Sequence, residues 1–199
     1  MSGGEGGASN ACFRCHGLDG MGDGVATPRL AGLDAGYLLK QMQDYAQDQR
    51  QDVVMTQVAR WLDDDDRRAV AAWYAGMPVR QGAVTAGPAP AAYIARCAAC
   101  HGSDGLGVGA GNPAIAGQPA QYTIDQLHRW KTSKRRNDPR GVMAEAVRGV
   151  TDAETRAIAA WLETSPAAPP PDSDAATASA AATTAAGSAA SRAARRPDR

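Results

Sequence analysis

Large apolar side chains are what this 199-residue chain has least of: it contains one Phe, five Tyr and four Trp, and much of its 44% hydrophobic content is alanine. Twenty-two glycines dilute it further. A core made from these side chains alone would be thin, and units of about 80 residues usually need disulfides, metals or cofactors to supplement it. Surplus charge is also missing. The 21 Lys and Arg balance the 21 Asp and Glu, which argues against a nucleic-acid binder that works through bulk positive charge. There is no run of about 18 apolar residues, so no transmembrane segment is expected. The opening stretch from Met1 to Ala11 has no basic region followed by an apolar one, so a standard export signal is not expected as the sequence stands.

What is present is a repeat. Cys12-Phe-Arg-Cys15-His16-Gly17 returns as Cys97-Ala-Ala-Cys100-His101-Gly102, an offset of 85. The same offset carries Asp19 onto Asp104, Gly20 onto Gly105, Pro28 onto Pro113, Gly32 onto Gly117, Tyr37 onto Tyr122, Gln41 onto Gln126 and Tyr45 onto Trp130. Further on the offset becomes 88, with Met55 on Met143 and Trp73 on Trp161, so the second copy holds a three-residue insertion near Lys131 to Arg140. Each copy reads as helical. Asp34 can cap a helix with Tyr37, Leu38, Gln41, Met42 and Tyr45 at three- and four-residue spacing, and Gln121 to Trp130 repeats the pattern. Asp63 and the capping box Thr151-Asp-Ala-Glu154 start terminal helices. The expected organisation is a first domain over 1–82, a Gly/Pro/Ala linker over 83–90, a second domain over 91–164, and a disordered Ala/Pro/Ser/Thr-rich tail over 165–199.

Cys-x-x-Cys-His is the attachment signature of a c-type haem. On one helical turn the two thiols reach the two vinyl groups of a porphyrin, and the following imidazole sits under the iron. Cys12, Cys15, Cys97 and Cys100 are therefore candidate covalent anchors, and His16 and His101 candidate iron ligands. The alternatives are a zinc site, a structural disulfide or a redox CxxC. Zinc would need four ligands per site, and pairing the cysteines across the repeats would leave the histidines unexplained. Two occurrences in one register favour haem.

Haem iron needs a sixth ligand or an open position, and His/Met ligation raises its potential into the electron-transfer range. Of the six methionines only Met55 and Met143 correspond across the repeat, and they are the candidate distal ligands. Met42 lies on an apolar helical face opposite Leu127 in the repeat and reads as core filler. His128, whose counterpart is Gln43, reads as a partly exposed helix residue rather than a third ligand. Asp63 to Asp66 mark a helix start.

These features together resemble a known family. Two CxxCH units, each with a Gly-rich loop, a Pro…Gly segment, a Tyr-led helix and a Met before a capped terminal helix, are similar to the dihaem class I cytochromes c of the cytochrome c4 type. Arg135-Arg-Asn137-Asp138-Pro139 is similar to that family's stretch upstream of its axial Met. The resemblance covers about residues 8–164. It implies an all-α chain of two tandem cytochrome c-like domains, each wrapped round one covalently attached haem, in the bacterial periplasm. It further implies a single-electron carrier, not itself an enzyme, working between a quinol-oxidising complex and a terminal oxidase or reductase. The partners would be those membrane-bound complexes. The alternatives are the cytochrome subunit of a periplasmic dehydrogenase, a haem peroxidase or a haem sensor. Only 11 residues precede Cys12, and Ala8 stands where the second copy has Tyr93. A weak first helix and a truncated or mis-assigned start are the matching expectations, with Tyr93 packing on its terminal helix.

Charge divides by segment. Residues 1–82 hold 8 basic and 11 acidic side chains, and residues 83–165 hold 9 and 7. Lys131, Lys134, Arg135, Arg136 and Arg140 cluster ahead of Met143, as a solvated basic loop or as a surface that steers a partner.

Overall fold

A computed structural model describes residues 8–80, 86–109, 111–138 and 140–167, with side chains from residue 12 onward. Among the described residues there are nine α-helices and no strand: α1 (Ala8–His16), α2 (Ala35–Ala46), α3 (Met55–Trp61), α4 (Asp64–Ala75), α5 (Ala91–Arg96), α6 (Ala98–His101), α7 (Ala120–Lys131), α8 (Val142–Val147) and α9 (Asp152–Thr164). The expected tail lies outside the described residues from 168 on.

The expected caps form. Asp34 accepts from the Tyr37 N–H and Asp63 from the Asp66 N–H, while Thr151 and Glu154 close a reciprocal capping box. These bonds satisfy donors that a helix start leaves without a partner. In α2 the stripe Leu38, Gln41, Met42 and Tyr45 is buried, which is why α2 packs against both α3 and α4. The counterpart α7 packs against α8 and α9. Met42 is core, at 8% exposure, against Tyr45, Ala59 and Leu62.

The two halves fill the same space with different residues. In the second half Tyr93 of α5 is wholly buried against Val150, Ile158 and Leu162 of the terminal region, as expected, with its ring 4.5 Å from that of Trp161. Its hydroxyl donates to the Gly102 carbonyl at 2.7 Å. In the first half position 8 is Ala, and the bulky ring comes from the other helix: Tyr74 of α4, the counterpart of Leu162, is 2% exposed and packs with Leu33, Leu38 and Ala71. Helix α1 reaches His16 without a break, whereas its counterpart is split into α5 and α6 at Cys97.

Candidate haem sites

Helix spacing places Cys12, Cys15 and His16 along one stretch of α1. Cys12 packs against the cluster that contains Tyr74, and Cys15 is exposed. In the second half Cys97 packs against the Tyr93 cluster, and its carbonyl accepts the N–H groups of Cys100 and His101 at 3.1 and 2.9 Å, so the three residues share one backbone turn. Burial pushes the Cys97 thiol up to about 11 and also raises Cys12.

Both histidines are held identically. His16 and His101 are buried, at 6% and 7% exposure. The Nδ1–H of His16 donates to the Pro28 carbonyl at 2.9 Å, and that of His101 to the Pro113 carbonyl at 2.8 Å. Burial lowers both pKa values and so favours the neutral imidazole, and each bond to a carbonyl leaves Nε2 with a lone pair that could bind a metal ion. The glycine loops make room for this. Gly22 and Gly107 donate to the His16 and His101 carbonyls, at φ +80° and +81°. A Cβ there would collide with the Thr27 carbonyl in one copy and the Ala114 amide in the other, so the loops can close on the histidine only with glycine.

The methionines also occupy equivalent places. Met55 opens α3 and Met143 lies in the first turn of α8. Their backbone N–H groups are held by Asp52 at 3.1 Å and Asp138 at 2.7 Å. Val70 touches both the cluster that contains Cys12 and the cluster that contains Met55, which links the cysteine end of the first half to its methionine end. In each half these donors are two thiols, a neutral imidazole with its Nε2 available and a partly buried thioether. They suit a c-type haem better than zinc, because no group of three or more His, Cys, Asp or Glu gathers among the described residues.

Between the halves lies a polar cluster that motif reading did not identify. Helix α2 ends in a turn through Asp48 and α7 in one through Ser133, both with positive φ, at 59° and 56°. The turns send Arg50 and Arg135 back over the rings of Tyr45 and Trp130, with guanidinium carbons 4.7 and 4.8 Å from the ring centroids. Arg50 donates to Gln41 and Gln126 at 2.9 Å and to the Tyr122 hydroxyl at 3.0 Å. Arg135 donates to Gln126 at 2.9 Å, to Gln41 at 3.1 Å and to Asn137 at 3.0 Å. Each arginine thus bonds the glutamines of both halves. Burial works against ionising Tyr122, yet the charges of Arg50 and Arg135 hold its phenol below the ordinary value. Arg50 and Arg135 stand 85 apart, the signal in the sequence that could have found them.

The basic segment ahead of Met143 needs one correction. Arg135, at 8% exposure, belongs to this interior cluster, because stacking on Trp130 and three amide acceptors replace its water. Lys131 is half-buried beside Asp152 and Thr155. Lys134, Arg136 and Arg140 remain exposed, as does His128.

The cytochrome c family model matches residues 4–77 and 88–166. The chain is 40% identical to a thiosulfate dehydrogenase electron acceptor from Stutzerimonas stutzeri, over 79% of this chain and 80% of that one. It is 32% identical to cytochrome c4 of Thiocapsa roseopersicina, over 80% and 90%. Among solved structures, reduced recombinant cytochrome c4 from Pseudomonas stutzeri superposes with a TM-score of 0.71 at 26% identity, over 83% of this chain and all of that one. The thiosulfate dehydrogenase TsdBA of Marichromatium purpuratum gives a TM-score of 0.68 at 34% identity over 82% of this chain, which spans only 39% of that longer chain. The chain belongs to the cytochrome c family. Its halves are tandem cytochrome c domains of the dihaem cytochrome c4 type, and its cofactors are two c-type haems.

Proposed function

We propose that this electron carrier takes single electrons from a thiosulfate dehydrogenase in the periplasm and delivers them to a terminal oxidase or reductase. The 40% identity to a protein named as the electron acceptor of that enzyme carries the choice of donor, ahead of a quinol-oxidising complex. Cys12 and Cys15 anchor the first haem and Cys97 and Cys100 the second. His16 and His101 are the proximal ligands, Met55 and Met143 the distal ones. Each bound haem supplies a one-electron couple. The Pro28 and Pro113 carbonyls orient the imidazoles, and paired thioethers at the sixth position argue against a peroxidase or a gas sensor. We place the domains over 1–82 and 91–164, joined by 83–90; the family model matches 4–77 and 88–166.

The test is to mix the haem-loaded full chain with a bacterial thiosulfate dehydrogenase and thiosulfate and follow the reduced haem bands. Reduction by two electrons per chain is expected. No reduction here, together with rapid reduction by a quinol–cytochrome c reductase, would overturn the choice of donor.

A further inference from the structure

Arg29 has no solvent exposure, and no acidic side chain among the described residues pairs with it. Its guanidinium donates to the Ala31 carbonyl and, at 2.9 Å, to the Ala116 carbonyl of the other half. Its backbone N–H and carbonyl are both bonded to the Gln118 side-chain amide, at 3.0 and 2.9 Å. Its Nε is buried with no hydrogen-bond partner among the described residues. Every acceptor is a neutral amide oxygen. Burial alone pushes the guanidinium down to about 10, which leaves it charged at neutral pH.

The position of this charge follows from the repeat. Ala31 and Ala116 are counterparts at the offset of 85, so the guanidinium bridges equivalent points of the two halves. One side chain fills that place, and the counterpart of Arg29 is the small Ala114. Ala31 lies three residues beyond Pro28, whose carbonyl holds His16, and Ala116 three beyond Pro113, whose carbonyl holds His101. The charge thus sits buried between the halves beside both proximal segments. Adding one electron to a haem removes one positive charge at the iron, so a fixed cation nearby in a medium of low dielectric favours the reduced form.

We propose that Arg29 is a fixed interface charge that raises the reduction potentials of both haems together, making each a better electron acceptor without opening a gap between them. The proposal rests on both halves carrying haem at the assigned cysteines and histidines. A haem count of two per chain establishes that separately before any potential is measured.

The experiment is a spectroelectrochemical titration of the full haem-loaded chain at fixed pH and ionic strength. Arg29→Met and Arg29→Gln, which remove the charge, should each weaken electron uptake at both haems about tenfold, or ~59 mV for a one-electron couple. Arg29→Lys should restore both potentials to within about twofold in uptake. Gln118→Leu, which breaks the neutral bonds and keeps the charge, should lower thermal stability and leave both potentials within the same margin. Unchanged potentials in the two neutral variants would overturn the proposal, as would a shift confined to one haem. A fall in Gln118→Leu equal to that in Arg29→Met would also overturn it, by showing that the residue acts only through packing. If the neutral variants fail to retain two haems, a tenfold loss of electron uptake at both haems in Gln118→Leu, which keeps the charge, still overturns the proposal, and unchanged potentials there support it.

Discussion

Pro28 and Pro113 have no side-chain chemistry, yet each carbonyl determines what its histidine can do. With Nδ1 committed to a carbonyl, the neutral ring can present only Nε2. The same residue-level logic separates the methionines. Met55 and Met143 begin helices on backbone bonds to aspartates, while Met42 fills core. Met143→Ala should remove about half of the Met-to-iron charge-transfer absorbance and lower one potential, Met55→Ala should remove the other half, and the double variant all of it; an intact band in Met143→Ala would disprove that ligand. Met42→Ala should instead keep the band and cost about 2–5 kcal/mol in chemical denaturation. The equivalent placing of the cysteines, histidines and paired methionines was legible because the repeat marks each of them twice. Arg29 was not, because its counterpart is Ala114 and nothing in sequence shows that a lone arginine is fully buried.

At the scale of elements, capping was readable where hydrogen bonds are local. Thr151 and Glu154 sit three apart, and their bonds need only the chain between them. Thr151→Ala should cost about 1 kcal/mol, seen as a fall of about 2–4 °C in Tm. The Glu154 carboxyl is held below the usual carboxylate range by the Thr151 N–H and hydroxyl. Since its folded pKa lies below the unfolded one, its contribution is complete above about pH 4.3 and is lost as pH falls through the folded value. The stability difference between wild type and Glu154→Gln should therefore be level near neutrality and vanish in acid, as thermal melts across that range would show. The turns at Asp48 and Ser133 were less legible. A positive φ at a non-glycine residue has no firm sequence mark, although the turn is what returns Arg50 and Arg135 over their aromatic rings.

For the whole molecule, local charge matters more than the zero total. No described helix is long and apolar enough to cross a membrane. Acidic residues outnumber basic ones in the first 82 positions, and Lys134, Arg136 and Arg140 are exposed ahead of Met143 in the second half. If that face meets an acidic partner, reversing Arg136 and Arg140 to Glu should slow bimolecular electron transfer by about tenfold at low salt. The difference should shrink as salt screens it, which stopped-flow measurements at several ionic strengths would reveal. Arg135 contributes nothing to this face, since it is stacked on Trp130 inside the protein.

The amino-acid sequence by itself determined the two-fold repeat, the attachment motifs, the helix starts and the scarcity of core side chains that two haems relieve. These depend on spacing along the chain, which a sequence states directly. Tertiary structure alone decided which charged residues leave water. Arg29, Arg50 and Arg135 are buried because each finds acceptors in the opposite half as well as in its own. No local pattern encodes a partner some 70–95 residues away.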